Sequence, residues 1–530
     1  MSVSGMRPEQ AGRGTERDLT TMLVSCFGGN ASILGGAPKH GASAYEPADG
    51  SVARNTSSGR RVRSPAGWDR FKMVMEETAA AVAAPQAAPQ PEMSKLESTA
   101  LRATFWTVMD YGAGQSLRVV NSLVLTRLLL PSAFGEMQLV TALIVGMTLL
   151  SDIGLGPNVI QSRRGDDPIF LNTAWTLQAG RGFVLWCISV LLAYPAARFY
   201  HDPSLLRLLP VLALSTIVTG LNGTSLLTLS RHMGLRRMFV IDFSMQIVAL
   251  VVTVTLAYFW HSVWALVVGT LVSNLYRMAL SHHPRVVPGE RNRFMLHRES
   301  LKEIVKFGKW IVLGTAFYFF ASQADKLVFG SLVSMTVLGV YGIAYQISDV
   351  PRSVINAFSN KVGFPFASKM IHLPMAEFRA TYLRYRMYAL LLGAFLLSLM
   401  TVWGHLIILK LYPARYSDAS WMIPILALGL WHTLLYTTTS PVLFSLGKSS
   451  YNAFGNVAYC VAMLAGIPLA FHYFGIFGAI IAIAAGDFPL YVVTQVGATR
   501  EGLRPLWQDL QMTAAFLGFL ALGFVLRRGI

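Results

Sequence analysis

Asp110, Tyr111, Gln115, Arg118 and Asn121 crowd one otherwise apolar stretch, 104–125. If that stretch crosses a membrane, a charge at its centre costs on the order of 2.5–3.5 kcal/mol on insertion scales, so each one needs a partner or a hydrated cavity. At about 100° per residue the five side chains, with Gly114 and Ser122, fall within an arc of about 140°, and most of the opposite side is apolar. Such a stripe suits a helix lining a water-filled cavity, with Arg118 available to an anion and the amides and phenol available to hydroxyl groups. The competing reading is an Asp110–Arg118 structural pair, which asks side chains two turns apart to reach each other.

Gly314, Thr315, Tyr318, Ser322 and Asp325 form a second stripe along 310–330, with Lys326 on its border. Adjacent residues point about 100° apart, so Asp325 and Lys326 satisfy each other poorly and at least one looks elsewhere. A structural role and a transport-coupling role for the pair both stay open. Arg181, between Gly180 and Gly182 with Gln178 one turn earlier, lies deep in 170–194 and is the best anion-binding candidate. Its alternative is an interhelical hydrogen bond to backbone carbonyls. Asp487, beside Pro489, is a candidate coupling carboxylate, while Asp152, Asp242, Arg277, Asp349 and Arg352 sit near segment ends where exposure or capping explains them.

These side chains need elements that hold them in lipid. The 530 residues are 53% hydrophobic and 13% charged, against about 25% charged in a soluble domain, and a bilayer core about 30 Å thick takes roughly 20 apolar residues per helix. Thirteen spans are expected, at 104–125, 134–155, 170–194, 208–229, 238–260, 262–280, 310–330, 336–357, 386–409, 420–446, 451–472, 475–496 and 510–526. With a cytoplasmic N-terminus, the inward loops carry nineteen Lys and Arg, or twenty with Arg386 at the first position of a span, and the outward loops five, the asymmetry that sets orientation. The last span is the weakest, because it would carry Arg527 and Arg528 outward; a re-entrant segment is the alternative.

On a soluble chain the formal charge of +17 would suggest nucleic acid. Residues 1–95 hold 11 basic and 9 acidic residues, which leaves 33 against 18 beside the apolar spans, so the surplus reads as topology and no nucleic-acid partner is expected. Residues 1–95 are rich in Ala, Gly, Ser, Pro and Gln and read as a disordered extension, either a tether or sequence ahead of a start near Met93. The apolar run near Met22 is too short for a signal-peptide core. The remainder divides into an N-lobe (96–280), a basic cytoplasmic linker (281–309) and a C-lobe (310–530). A shift of 204 residues aligns the two halves, pairing Trp106 with Trp310, Leu123 with Leu327, Val124 with Val328, Leu128 with Leu332 and Gly135 with Gly339, and setting Asn121 opposite Asp325. Both halves start on the same side, so the repeat is parallel, about an axis along the membrane normal. Cys26, Cys187 and Cys460 form no CxxC pair, and neither a phosphate loop nor an HExxH sequence occurs, so no cofactor or metal is expected.

At RLLLPSAFG (127–135), SDIGLGPNVIQ (151–161), ADKLVFG (324–330) and LGVYGIAYQISDVP (338–351) the chain resembles the bacterial polysaccharide transporters, the O-antigen and exopolysaccharide flippases of the multidrug/oligosaccharidyl-lipid/polysaccharide superfamily. The resemblance covers about residues 100–500. It implies an all-α polytopic fold of about 12–14 transmembrane helices, in two six-helix lobes around a central cavity. It further implies a flippase of the bacterial inner membrane that is not an enzyme. Its substrate would be a polyprenyl-diphosphate-linked oligosaccharide, moved from the cytoplasmic to the periplasmic leaflet by alternating access. Membrane lipids would surround it, with polysaccharide polymerase and chain-length proteins as further partner candidates. On this reading Arg118 and Arg181 take the diphosphate, Tyr111, Gln115, Asn121 and Tyr318 meet the sugars, and Asp110, Asp325, Lys326 and Asp487 serve transport or coupling. The rivals are a cation-coupled antiporter of the same superfamily, a membrane polymerase or ligase, and a scaffold for synthesis enzymes.

Overall fold

The computed structural model describes Met109 and residues 112–528, apart from 233, 288, 290, 291, 364–366 and 369; the extension read at 1–95, and Asp110 and Tyr111, lie outside the described residues. Every regular element among the described residues is helical. Helix α1 covers residues 112–128. The rest of the first half is α2 (Pro131–Leu150), α3 (Pro168–Phe199), α4 (Leu205–Gly220, continued by Ser225–Arg231), α5 (Leu235–Trp260) and α6 (Trp264–His282). The second half is α7 (Arg298–Leu332), α8 (Met335–Ser348, continued by Val350–Phe358), α9 (Met375–Leu411), α10 (Ala419–Thr437, continued by Ser440–Ser445), α11 (Ser450–Ala485), α12 (Phe488–Arg500) and α13 (Leu506–Arg528).

Seven stretches among the described residues are long and apolar enough to cross a membrane, or eight if the pair Leu205–Gly220 and Ser225–Arg231, bent by 62°, is one span. The figure is smaller than thirteen partly because Ser450–Arg500 counts once. Inside it, Gly475 leaves the helical region (φ 61°, ψ −148°), a conformation that glycine adopts without Cβ strain. A methyl group on Gly478 would overlap the Ala470 carbonyl, yet residues eight apart in a straight helix lie about 12 Å apart. The chain therefore reverses at Gly475, between the two spans expected there. Helix α8 falls short for another reason: it breaks after Ser348, just ahead of Pro351.

Helix α7 starts at Arg298, inside the segment read as linker. The His297 ring accepts from Ser300 N at 3.5 Å, and Glu299 sits in the first turn, where the helix dipole favours an anion. The rest of that segment follows the first half, with Arg293 N, Met295 N and His297 N donating to Asn172 Oδ1, Thr176 Oγ1 and Thr173 Oγ1 at 2.9, 2.9 and 3.2 Å. On α3, Asp167 caps the helix by accepting from Ile169 N at 3.0 Å. The Arg164 guanidinium, 2.7 Å away, holds the Asp167 carboxyl below its usual range.

The halves meet where the repeat requires. Helix α2 lies against α7 and α8. A methyl group on Gly135 would overlap the Met335 carbonyl, and one on Gly339 would overlap the Pro131 carbonyl. Both pairs, 131 with 335 and 135 with 339, obey the 204-residue shift, so the contact is reciprocal about a pseudo-two-fold axis. Glycine at both positions lets backbone touch backbone. The second half also caps α1: Arg415 Nη2 donates to Thr126 O and Arg127 O at 2.7 Å each, and the Tyr416 hydroxyl to Leu129 O at 3.2 Å.

The C-terminal helix is a full member of the bundle rather than a re-entrant segment. Asp509 at its start pairs with Arg386 of α9 at 2.6 Å, their side chains 2% and 1% exposed. The Tyr491 hydroxyl and Gln495 amide donate to Asp509 Oδ2 at 3.0 and 2.8 Å, while Arg386 also reaches Thr438 Oγ1, Leu435 O and Gln508 Oε1. Helices α9, α10, α12 and α13 thus share one satisfied polar knot.

Two predictions follow from these contacts. Gly135→Ala and Gly339→Ala should each lose about 1–3 kcal/mol by overpacking, to a similar extent because the contact is reciprocal, read as a lower unfolding temperature in detergent. Unchanged unfolding in both variants would remove this contact from the account. In the same assay Arg386→Met or Asp509→Leu alone should cost about 3–5 kcal/mol by stranding a buried charge, and the double variant should recover much of the loss; a double variant no better than the worse single one contradicts the pairing.

Candidate functional site

Within the second half a cavity of about 390 Å³ lies between α7, α8, α10, α11 and α12. Helix α7 contributes Tyr318, Ser322 and Asp325; α8 and its continuation contribute Tyr345, Ser348, Arg352, Ser353 and Asn356. Helix α10 supplies Thr433 and Tyr436, α11 supplies Asn452, Asn456 and Tyr459, and Asp487 comes from the α11–α12 junction. Most of these groups are amides, phenols and hydroxyls. They line a hollow in a bundle whose other inward positions are filled by Leu, Ile and Ala, as in the core around Leu338, Ala344 and Ile480.

Two helix breaks bring the charged groups inward. Asp349-Val350-Pro351 and Asp487-Phe488-Pro489 share a spacing in which proline, lacking an N–H, interrupts the helix two residues after the acid. Each aspartate is an N-cap by position, but neither side chain caps its own helix. Asp349 instead takes Arg352 Nε at 2.5 Å and the Ser353 hydroxyl at 2.8 Å, and Arg352 Nη2 donates to the Tyr345 hydroxyl at 3.0 Å. Asp487 accepts from the Thr433 hydroxyl at 2.5 Å and bonds His432 Nε2. On α7 the neighbours Asp325 and Lys326 find separate partners. The Tyr341 hydroxyl donates to Asp325 Oδ2 at 2.7 Å, and Lys326 donates to Gln323 Oε1 at 3.2 Å with its ammonium 5.8 Å over the Tyr345 ring.

Of the side chains singled out in the sequence, Tyr318, Ser322, Asp325, Arg352 and Asp487 line this cavity and Lys326 borders it. Arg118, Gln115, Asn121 and Arg181 are not among its walls. Arg118 is exposed, and among the described residues its Nε donates to Gly114 O of its own helix at 3.4 Å. Gln115 and Asn121 are half-buried, the latter with a buried Oδ1 that has no partner among the described residues. Arg181 is already occupied: Nε donates to Ser151 Oγ at 3.0 Å, Nη2 to Thr148 O at 2.5 Å, and Nη1 lies 3.9 Å from Asp152. That is the interhelical arrangement held open as its alternative. Asp110 and Tyr111 lie outside the described residues.

Sequence reasoning put Asp349 and Arg352 at a span end and passed over His432, Tyr345, Tyr436, Tyr459 and the asparagines. Signals were present in the Asp-x-Pro spacing and in the pairs Asn356/Asn360 and Asn452/Asn456, each four residues apart and so on one helix face. Neither says which face looks inward.

The family described as "Polysaccharide biosynthesis protein" matches residues 124–421. Lipopolysaccharide biosynthesis protein WzxC of Escherichia coli (strain K12) is 25% identical over 266 residues, 50% of this chain and 52% of that protein, so the chain spans about half the length of this relative. Succinoglycan biosynthesis transport protein ExoT of Rhizobium meliloti (strain 1021) is 23% identical over 66% of this chain and 70% of its own length. Among solved structures, the inward-facing conformation of a multidrug resistance MATE family transporter of the MOP superfamily matches with a TM-score of 0.56 and 14% identity, over 77% of this chain and 98% of that one, a likeness of fold alone.

A hydrated cavity makes its walls reactive to water-borne reagents. With the three native cysteines replaced by serine, Ser322→Cys on α7 and Asn452→Cys on α11 should react with a membrane-impermeant maleimide, whereas Ala213→Cys, 0% exposed in the first-half core, should not. Equal rates at all three positions would contradict a water-filled cavity.

Proposed function

The chain belongs to the polysaccharide biosynthesis protein family, and we propose that it is a flippase moving a polyprenyl-diphosphate-linked oligosaccharide from the cytoplasmic to the periplasmic leaflet of a bacterial inner membrane. The observation that carries this reading is the amide- and phenol-lined cavity inside an apolar bundle. A sugar presents a ring of hydroxyls that both donate and accept, and Asn, Tyr and Ser answer both needs at fixed positions. The polyprenyl tail stays in lipid while the head group uses the cavity.

The N-terminus is cytoplasmic on the strength of the nineteen-to-five distribution of basic residues outside the expected spans. Alternating access is a rocking of the two halves about the Gly135–Gly339 contact, since glycines that let backbones touch also let them pivot without side chains to unlock. The exchange between states breaks and remakes the Arg415 and Tyr416 contacts to the end of α1. For the diphosphate, Arg118 is the stronger candidate, because it is exposed and has no carboxylate partner among the described residues. Arg181 would first have to leave Thr148, Ser151 and Asp152. Gln115, Asn121 and Tyr111 serve the sugars nearest the diphosphate, and Tyr318 those deeper in. An inside-negative potential drives an anion outward by about 2.3 kcal/mol per charge per 100 mV, so no ATPase is required. Polymerase and chain-length proteins receive the product, and the chain itself performs no covalent chemistry.

One observation favours a second reading. Asp325 and Asp487 beside four tyrosines suit an organic cation, as in a drug antiporter. Proteoliposomes separate the two. Wild type should flip a fluorescent polyprenyl-diphosphate glycan, and Arg118→Ala should slow it at least about tenfold, the scale of one lost charge-assisted contact, with its unfolding temperature unchanged. Arg181→Ala should lower that temperature as well. Absent glycan movement together with uptake of an organic cation would replace the flippase reading with the antiporter.

A further inference from the structure

The cavity's charges are arranged unevenly. Asp325 and Asp487 both line it, whereas Arg352 is the one lysine or arginine among its described walls. That guanidinium is already spent on Asp349 and on the Tyr345 hydroxyl. Lys326, on the border, is held by Gln323 and the Tyr345 ring, and the partners of Asp325 and Asp487 are a phenol, an imidazole and a hydroxyl. The side chains around the cavity thus carry three carboxylates, Asp325, Asp349 and Asp487, against two cations, Arg352 and Lys326, with His432 bonded to one of the acids. No wall among the described residues offers an uncommitted cation to a second anion.

We propose that this cavity selects the sugar itself by charge: it takes a neutral or amine-bearing saccharide, rejects one bearing a carboxylate, and leaves the diphosphate outside, with Asp325 and Asp487 as the discriminating residues. The inference rests on the flippase reading and narrows its substrate class. An added carboxylate near either aspartate meets like charge in a site of reduced dielectric, where repulsion is several times stronger than in water. A neutral sugar meets instead the acceptors of the two aspartates and the donors of Asn356, Asn452 and Asn456. An amino sugar gains an ion pair.

The test uses two probes differing at one carbon, a glucose disaccharide and its glucuronate counterpart. Each is presented free to the purified full-length protein, with binding read by intrinsic fluorescence, and as a fluorescent polyprenyl-diphosphate conjugate in proteoliposomes. Wild type should favour the neutral sugar at least about tenfold in both assays. Asp325→Asn and Asp487→Asn, shape-preserving and checked by thermal unfolding, should each narrow that preference by admitting the uronate. Equal or tighter binding of the uronate by wild type, or a preference untouched in both folded variants, would overturn the proposal. Preferential binding without movement of either conjugate would sink the flippase reading and leave the charge selection standing; movement of both conjugates at equal rates would do the reverse.

Discussion

The close approach of two backbones at Gly135 and Gly339 is the constraint on which the rest depends. Each glycine faces the carbonyl of the residue that opens the other's helix, Met335 and Pro131. In lipid there is no hydrophobic gain from bringing two apolar helices together, so association rests on shape, and small residues permit the nearest approach. Helices α2 and α8 can therefore lie along each other, which sets α7 between α2 and α11 and puts Phe319 into the space at Gly146. Because the contact obeys the internal repeat, one geometric solution serves both halves.

The second organising rule is that charged side chains held within the bundle find partners, while a few buried amides, Asn121 among them, have none among the described residues. Arg386 and Asp509 show it most fully: their side chains are 1% and 2% exposed, and Thr438, Leu435, Gln508, Tyr491 and Gln495 bond to them. A pair of that kind adds little net stability beyond a well-packed apolar alternative, but removing one partner is costly. It gives α13 a defined place in the bundle although Arg527 and Arg528 stand at its end. Arg181 with Thr148, Ser151 and Asp152 is the same solution in the first half, drawing α3 to the end of α2.

The cavity is where that rule is relaxed. Asp349 and Asp487 stand at proline-induced breaks, where a helix frees backbone groups that only a polar lining or water can satisfy. Their side chains turn away from capping and toward Arg352, Ser353, His432 and Thr433, leaving a hollow whose walls can exchange hydrogen bonds with a hydroxylated guest. Membership of a polysaccharide biosynthesis family and a cavity of this chemistry point the same way from independent directions.

Much of the fold was legible in the residues alone. Apolar runs of bilayer length locate helices wherever lipid surrounds them, because the cost of exposing a backbone amide to hydrocarbon dwarfs local preference; the two spans separated at Gly475 and the 204-residue repeat could be read the same way. Asp325 and Asp487 stood out because a charge in an apolar run has few explanations. What the chain alone left open was which polar groups meet. Arg118 and Arg181 read alike as cations in apolar helices, yet Arg181 lies within reach of Thr148, Ser151 and Asp152, residues some thirty positions away on α2 and the turn after it, and Arg118 has no such neighbour among the described residues. Arg352, His432 and the paired asparagines looked like span ends and ordinary polar positions. Local sequence determines that a helix forms and how polar it is; the rotation of each helix about its axis, and so which of its polar groups share a cavity, is decided by how the helices pack, beginning with two glycines that let α2 and α8 touch.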